Sequence, residues 1–357
     1  MFLALRELKQ QKLRYGLVGL IIFLIIFLVL FITGLANGLT NDTTSALEKS
    51  PAETFVLQKG SENRLNRSKI STADAKKIQD QVGGTAMNVQ QTTVQNKNNA
   101  DKKTDVAYFA MNANSSFVPT ATNGKTLSNQ KNGIIVSDKL KENGYKVGSV
   151  LKDSISGKNM KIIGFVNNLS YAHTPVVYMS TKLYQTISPQ MAQGLTYNTV
   201  ATKSNASNLD LTGFTKSAKA TIIDNIPGHS AESGSLTMMI TFLYVISIVV
   251  LAVFFYVITI QKLREFGTLK AIGTSTSYLA RNLIYEIGLI TLGAIAIGSL
   301  VIFGLSYVMP SGMPFIMGGS TIAFTAGIFI VVAVISSLVS LVKIAKVDPV
   351  SAIGGNA

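Results

Sequence analysis

The sequence predicts a membrane α-helical protein with four transmembrane helices and a large extracellular α+β domain between the first and second spans. Three observations carry that expectation. Four apolar runs, Gly16 to Ala36, Leu236 to Ile260, Leu283 to Met309 and Ile322 to Val342, reach the length of about 20 residues that a helix needs to cross a bilayer. The segment 37–235 is ordinary polar sequence, long enough to build its own core. Outside it, basic residues gather in three short flanks: Arg6, Lys9, Lys12 and Arg14; Lys262, Arg264, Lys270 and Arg281; Lys343 and Lys346. The positive-inside bias puts all three flanks in the cytoplasm. Both termini are then expected inside and residues 37–235 outside, in a multi-pass protein of the plasma membrane.

The chain is 47% hydrophobic and only 14% charged over 357 residues, too apolar for a single soluble domain. Its net charge is +14, of which segment 37–235 supplies +8 from 22 Lys/Arg and 14 Asp/Glu. A long segment translocates regardless of such charge. No basic stripe interleaved with aromatics accompanies it, so no nucleic-acid partner is expected, and attraction to anionic lipid or wall polymer is the plainer account. Cysteine is absent, which removes disulfide staples and thiolate ligation of metal or haem. With two histidines, no metal-ligand spacing, no GxSxG elbow and no GxxxxGK[ST] phosphate loop, nothing assembles a catalytic centre. The chain is read as a non-enzyme.

Taken in order, residues 1–15 alternate Phe2, Leu3, Leu5, Leu8 and Leu13 with basic residues, an amphipathic helix lying in the inner interface. The first span, 16–36, is longer than a cleaved signal core and is expected to be a retained anchor. Ser50-Pro51 ends its outer extension. Within 37–235, strands are expected at Glu53 to Leu57, Ala86 to Val94, Val106 to Met111, Gly133 to Ser137, Met160 to Val166, Val176 to Met179, Asn198 to Lys203 and Ala220 to Asp224. Helices are expected at Ser71 to Val82, with Ser71 and Asp74 as its capping pair, and at Asp138 to Asn143, Thr181 to Ile187 and Thr212 to Ala218. Gln95 to Asp105 and Thr120 to Lys131 read as exposed loops. The second span, 236–260, leads into a cytoplasmic region, 261–281, then spans 283–309 and 322–342 and a tail, 343–357. Gly288, Gly293, Gly298 and Gly304 are expected to bring span three close to its neighbours.

The region 261–281 is the most informative. Leu263, Phe266, Leu269 and Gly273 recur at helical spacing over Arg264 to Gly273, so a short amphipathic helix should press its apolar face against something. Gly273 stops it, and Thr274 to Thr276 cap the next span. REFGTLKAIG, followed by Arg281 to Gly288 opening span three, resembles the cytoplasmic signature of the MacB/FtsX-type ABC transporter permeases. Lys346 to Ile353 resembles the tail of the same family, and Gly144 to Val150 with Lys161 to Phe165 a recurring piece of its external domain. The resemblance implies a homodimeric permease served by two copies of a separate ATPase subunit. Arg264, Glu265, Phe266, Leu269 and Lys270 would couple to that ATPase, with Glu286 as an intramembrane coupling residue. A carboxylate about two turns inside a span costs about 2.5–3.5 kcal/mol on insertion scales, so Glu286 needs a partner facing the bundle.

A second resemblance is more specific. Residues 3–58 and Phe165 to Met179 (FVNNLSYAHTPVVYM) are similar to the haem-efflux permeases of Gram-positive bacteria. It implies haem as transported substrate, drawn from the membrane, with no permanently bound cofactor. Without cysteine, haem iron takes tyrosine, histidine, methionine or carboxylate. The candidates are Tyr171 and His173, which on one strand would share a face, with Glu48, His229 and Glu232. The plain alternatives are an exposed turn for the first pair and a solvated linker for the last. Two other functions remain open: a signalling scaffold of the FtsX kind that activates an external partner, and export of an antimicrobial peptide or lipoprotein.

Overall fold

In the computed structural model, which describes residues 6, 10–96, 99–127, 132–188, 194, 196–204, 212–309 and 313–345, the chain divides into two compact units. One, the membrane unit, holds residues up to 37, 235–309 and from 315 onward. The other, the α+β unit, holds 38–234 with 310–314. Most of the expected N-terminal amphipathic helix and of the C-terminal tail lies outside the described residues.

Among the described residues, four helices are long and apolar enough to cross a membrane, as expected: α1 (Lys12–Glu48), α5 (His229–Gln261), α7 (Thr276–Val308) and α8 (Gly319–Ala345), the last over Gly319–Leu338. Their buried faces meet in one cluster that includes Ile22, Ile26 and Leu30 of α1, Leu251 and Phe255 of α5, Leu283 and Ile287 of α7, and Phe329 of α8. The opposite faces stay bare: Leu13, Leu17, Leu20, Leu24 and Leu28 form an exposed leucine stripe along α1. Such a stripe is unfavourable in water and costs nothing in lipid.

The glycines behave differently from expectation. A Cβ on Gly298 would sit 3.2 Å from Ile26, but Gly288, Gly293 and Gly304 have open space around them. The tight site is Gly34, whose added Cβ would run into the Phe315 ring, beside the hydrogen bond from Ile316 N–H to the Gly34 carbonyl (3.0 Å). Gly34→Ala must push that ring away, so it should cost about 1–3 kcal/mol, read as a fall in Tm in detergent.

The α+β unit is built on a mixed sheet. Its strands are β1 (Thr54–Gln58), β2 (Ile70–Ser71), β3 (Thr85–Asn96), β4 (Asn99–Met111), β5 (Asn123–Gly124), β6 (Gly133–Ser137), β7 (Val150–Asp153), β8 (Asn159–Val166), β9 (Ser170–Tyr171), β10 (Thr174–Ser180), β11 (Thr196–Tyr197), β12 (Thr199–Thr202) and β13 (Phe214–Ala218). The main sheet runs β13-β1-β12-β3-β4-β10-β6-β8-β5, while β2 and β11 pair separately. Pairs β4–β10 and β6–β8 are parallel. Alternation puts Ala107, Phe109 and Met111 into one core and Val106, Tyr108 and Ala110 into another, so β4 is buried on both faces. Helix α2 (Thr72–Val82) starts at Ser71, whose hydroxyl accepts from Asp74 N–H at 3.1 Å, the expected cap. Helix α3 (Thr181–Ile187) is capped likewise by Ser180.

Two neighbouring segments exchange roles. Residues 212–218, expected as helix, hold β13, which pairs with β1 over five registered residues. Residues 220–224, expected as strand, lie in helix α4 (Lys219–Asp224), which buries Ile222. Local pattern is ambiguous for such short apolar runs, and the sheet edge decides. The expected loop 95–105 is largely strand, because β3 and β4 pair as far as Asn96 and Asn99.

Candidate functional site

Two groups of residues combine buried polarity with unusual geometry, one in each unit.

In the membrane unit, helix α6 (Leu263–Ala271) follows α5 after a break at Lys262. It ends where Gly273 adopts φ +98°, a conformation that strains any side-chain-bearing residue, and Thr274 N–H returns to the Leu269 carbonyl at 3.0 Å. Ser275 then stands in the cap conformation of α7. Phe266 is buried, and Leu263 and Leu269 pack with it against the cluster of the membrane helices. Arg264, Glu265 and Thr268 are exposed, Lys270 is half-buried, and Ile272 is 76% exposed. The amphipathic helix therefore spends its apolar face on its own unit and presents a polar face with one isoleucine outward.

Beneath α6 lies the partner that Glu286 needs. The Lys262 ammonium donates to Glu286 Oε2 at 2.5 Å, both side chains wholly buried. The ammonium also sits 5.5 Å from the ring centre of Tyr15 and 5.9 Å from that of Phe266. The pair ties the α5–α6 break to α7, and the rings add cation–π attraction where water is absent. Sequence reasoning found Glu286 but not Lys262, which looked like one more basic residue of the cytoplasmic flank.

In the α+β unit, β9 and β10 form a hairpin whose two turn residues, Ala172 and His173, have φ of +48° and +63°. Such mirror-type turns usually use Asn-Gly, so two ordinary residues here carry strain. The tip is held on α1: Ala172 N–H donates to the Thr43 carbonyl at 3.0 Å and His173 N–H to that of Asp42 at 3.1 Å. Ser45 Oγ accepts from Ser170 N–H at 2.9 Å, and Asp42 is paired with Lys139. The strain has a visible product. His173 Nε2 is placed 3.0 Å from Glu232 Oε2 and 3.2 Å from Thr43 Oγ1, with its side chain half-exposed.

The expected site residues thus separate. His173 and Glu232 come together. Tyr171 does not share a face with His173, because the strand ends between them. It is buried, stacks edge-on against Phe109 at 5.6 Å and lines a cleft of about 330 Å³ with Gln91 and Tyr184. Burial pushes its hydroxyl up to about 12, which disfavours the phenolate that iron binds. Glu48 is exposed, and no hydrogen bond among the described residues joins it to the pair. His229 is buried, its Nδ1 without a hydrogen-bond partner. Thr43, which sequence reasoning missed, carried no signal beyond its place on the outer extension of span one.

Comparison with known proteins identifies the family. The model of the MacB-like periplasmic core domain matches residues 16–211, and that of the FtsX-like permease C-terminal matches residues 237–349. A Staphylococcus haemolyticus protein provisionally named hemin transport system permease protein HrtB is 33% identical over 357 residues, covering 99% of each chain. A Staphylococcus epidermidis protein of the same name is 32% identical over the same coverage. Among solved structures, the periplasmic region of MacB from Actinobacillus actinomycetemcomitans is similar at 13% identity and a TM-score of 0.35, covering 52% of this chain and 99% of that one. The extracellular domain of the noncanonic ABC-type transporter YknZ from Gram-positive bacteria gives 16% identity and a TM-score of 0.32, covering 44% and 84%.

Proposed function

The chain belongs to the FtsX-like, MacB-like family of ABC transporter permeases, and from that premise we propose that it exports haem from the membrane under the drive of a separate ATPase subunit. Two permease copies and two ATPase copies make the working assembly, with the α+β unit outside the cell and α6 facing the ATPase. The name of the staphylococcal relatives supports the cargo, and their near full-length alignment supports carrying it over. The basic flanks support the orientation.

The observation that carries the reading is the imidazole–carboxylate pair on a strained turn. A histidine that donates Nε2–H to Glu232 keeps its lone pair on Nδ1, and a carboxylate behind a ligating imidazole fixes its tautomer and ring orientation. His173 is therefore prepared to take ferric haem in its half-exposed position, with Glu232 as its positioning residue. Tyr171, held protonated, acts as a wall. Exposed Glu48 serves as an outlying contact for the ring edge, while His229 is buried away from it.

The test is hemin titration of the purified full chain in nanodiscs. His173→Ala should abolish the Soret shift, while Glu232→Gln should weaken hemin affinity by about 10–100-fold with the shift retained. Hemin should also stimulate ATP hydrolysis by the reconstituted complex. An unaltered Soret band in His173→Ala overturns the ligand assignment. Absence of stimulation, together with binding of an external protein to the α+β unit, favours a signalling scaffold.

A further inference from the structure

A second opening in the α+β unit, remote in chemistry from the imidazole pair, shares with that reading only the exposed Glu48 at its rim. About 360 Å³ in volume, it lies between the end of α1 and the sheet, and its walls include Leu47, Met87, Phe109, Met111, Phe117 and Tyr178. All six are buried members of one apolar cluster. Side chains of this kind normally close on one another to crystal-like density. Here they leave a lined space, and the two thioethers give it walls that adapt to a guest.

The mouth is polar and basic. Lys49 lines it, its ammonium 3.4 Å from the Asn168 carbonyl. Lys219 donates to the carbonyl of Ser50, another lining residue, at 3.1 Å, and Lys203 stands 5.7 Å from the ring centre of Phe117. Glu53, 3.7 Å from Lys219, and the exposed Glu48 are the acids beside them. Three lysines against two glutamates leave the rim positive.

An open, largely apolar cleft with lysines at its rim suits a single-chain anionic amphiphile. A methylene fills about as much space as a water molecule in the liquid, about 30 Å³, so the cavity holds a chain of about a dozen carbons. We infer that this cavity binds a free fatty acid of about that length, its alkyl chain among Met87, Phe109, Met111 and Phe117 and its carboxylate at Lys49. The inference stands apart from haem export and survives if that reading fails.

Binding of radiolabelled laurate to the full chain in nanodiscs, corrected with empty discs, tests it. Saturable binding of one laurate per chain is expected, with dodecanol a poor competitor. Met111→Trp should fill the cavity and abolish binding. If that variant fails to fold, Val118→Trp in the lining loop serves instead. Lys49→Glu should weaken binding by about tenfold, the effect of reversing one partly solvated charge. No laurate above the empty-disc level, undiminished binding in the folded tryptophan variant, or full competition by dodecanol overturns the inference. Displacement of laurate by stoichiometric hemin overturns the choice of a single-chain ligand.

Discussion

Glu286→Ala is expected to destabilise the membrane unit by about 3–5 kcal/mol, the cost of leaving one partner of a buried ion pair uncompensated. Lys262 is wholly buried and lies 2.5 Å from the carboxylate that is lost. Thermal unfolding of the variant in detergent reads the loss directly. The double replacement Lys262→Met with Glu286→Leu should recover most of the stability, because two well-packed apolar side chains replace a buried pair at little or no net cost. If the pair only holds helices together, the double variant transports normally. If it transmits motion from α6 to α7, the double variant is stable and its ATPase is no longer stimulated by hemin. A double variant as unstable as Glu286→Ala would show that packing space, rather than charge, decides at this site.

The second large effect separates folding from docking on a single helix. Phe266→Ala should cost about 3–5 kcal/mol, as for an aromatic truncated in a packed core, since its ring is buried against the membrane helices. Arg264→Glu combined with Ile272→Asp changes only exposed positions. It should leave stability within about 0.5 kcal/mol of wild type, read as a nearly unchanged Tm. The same double variant should lose co-purification with the ATPase subunit, the measurement that checks whether the outward face of α6 is the docking face. Retained co-purification and hydrolysis would remove Arg264 and Ile272 from that role.

How far the sequence reaches is visible residue by residue. The four spans were legible because hydrophobic length is a property of the chain itself, and Ser71 with Asp74 because a cap is settled within four residues. The family was legible in REFGTLKAIG. What could not be read was decided by residues distant in the chain. Whether 214–218 is strand depends on β1, more than 150 residues earlier by numbering. The side chains of Tyr171 and His173 part company because of a two-residue turn whose left-handed backbone is held from outside by carbonyls of α1. Neither Ala172 nor His173 is a residue type that announces such a turn. The ion pair was half legible: a carboxylate inside a span demands a cation, but nothing in spacing singles out Lys262 from the other basic residues beside it.

The turn at Ala172 and His173 has a mechanical corollary. Its uphill backbone is kept in place by two amide hydrogen bonds to helix carbonyls at Asp42 and Thr43. Were those carbonyls to slide by a single residue, both anchors would be lost together, and the tip would spring toward an easier conformation with the imidazole carried off its carboxylate. Under the proposed function, grip and release of haem at that imidazole would be two settings of one latch, thrown by the axial position of a helix rather than by any change in the histidine itself.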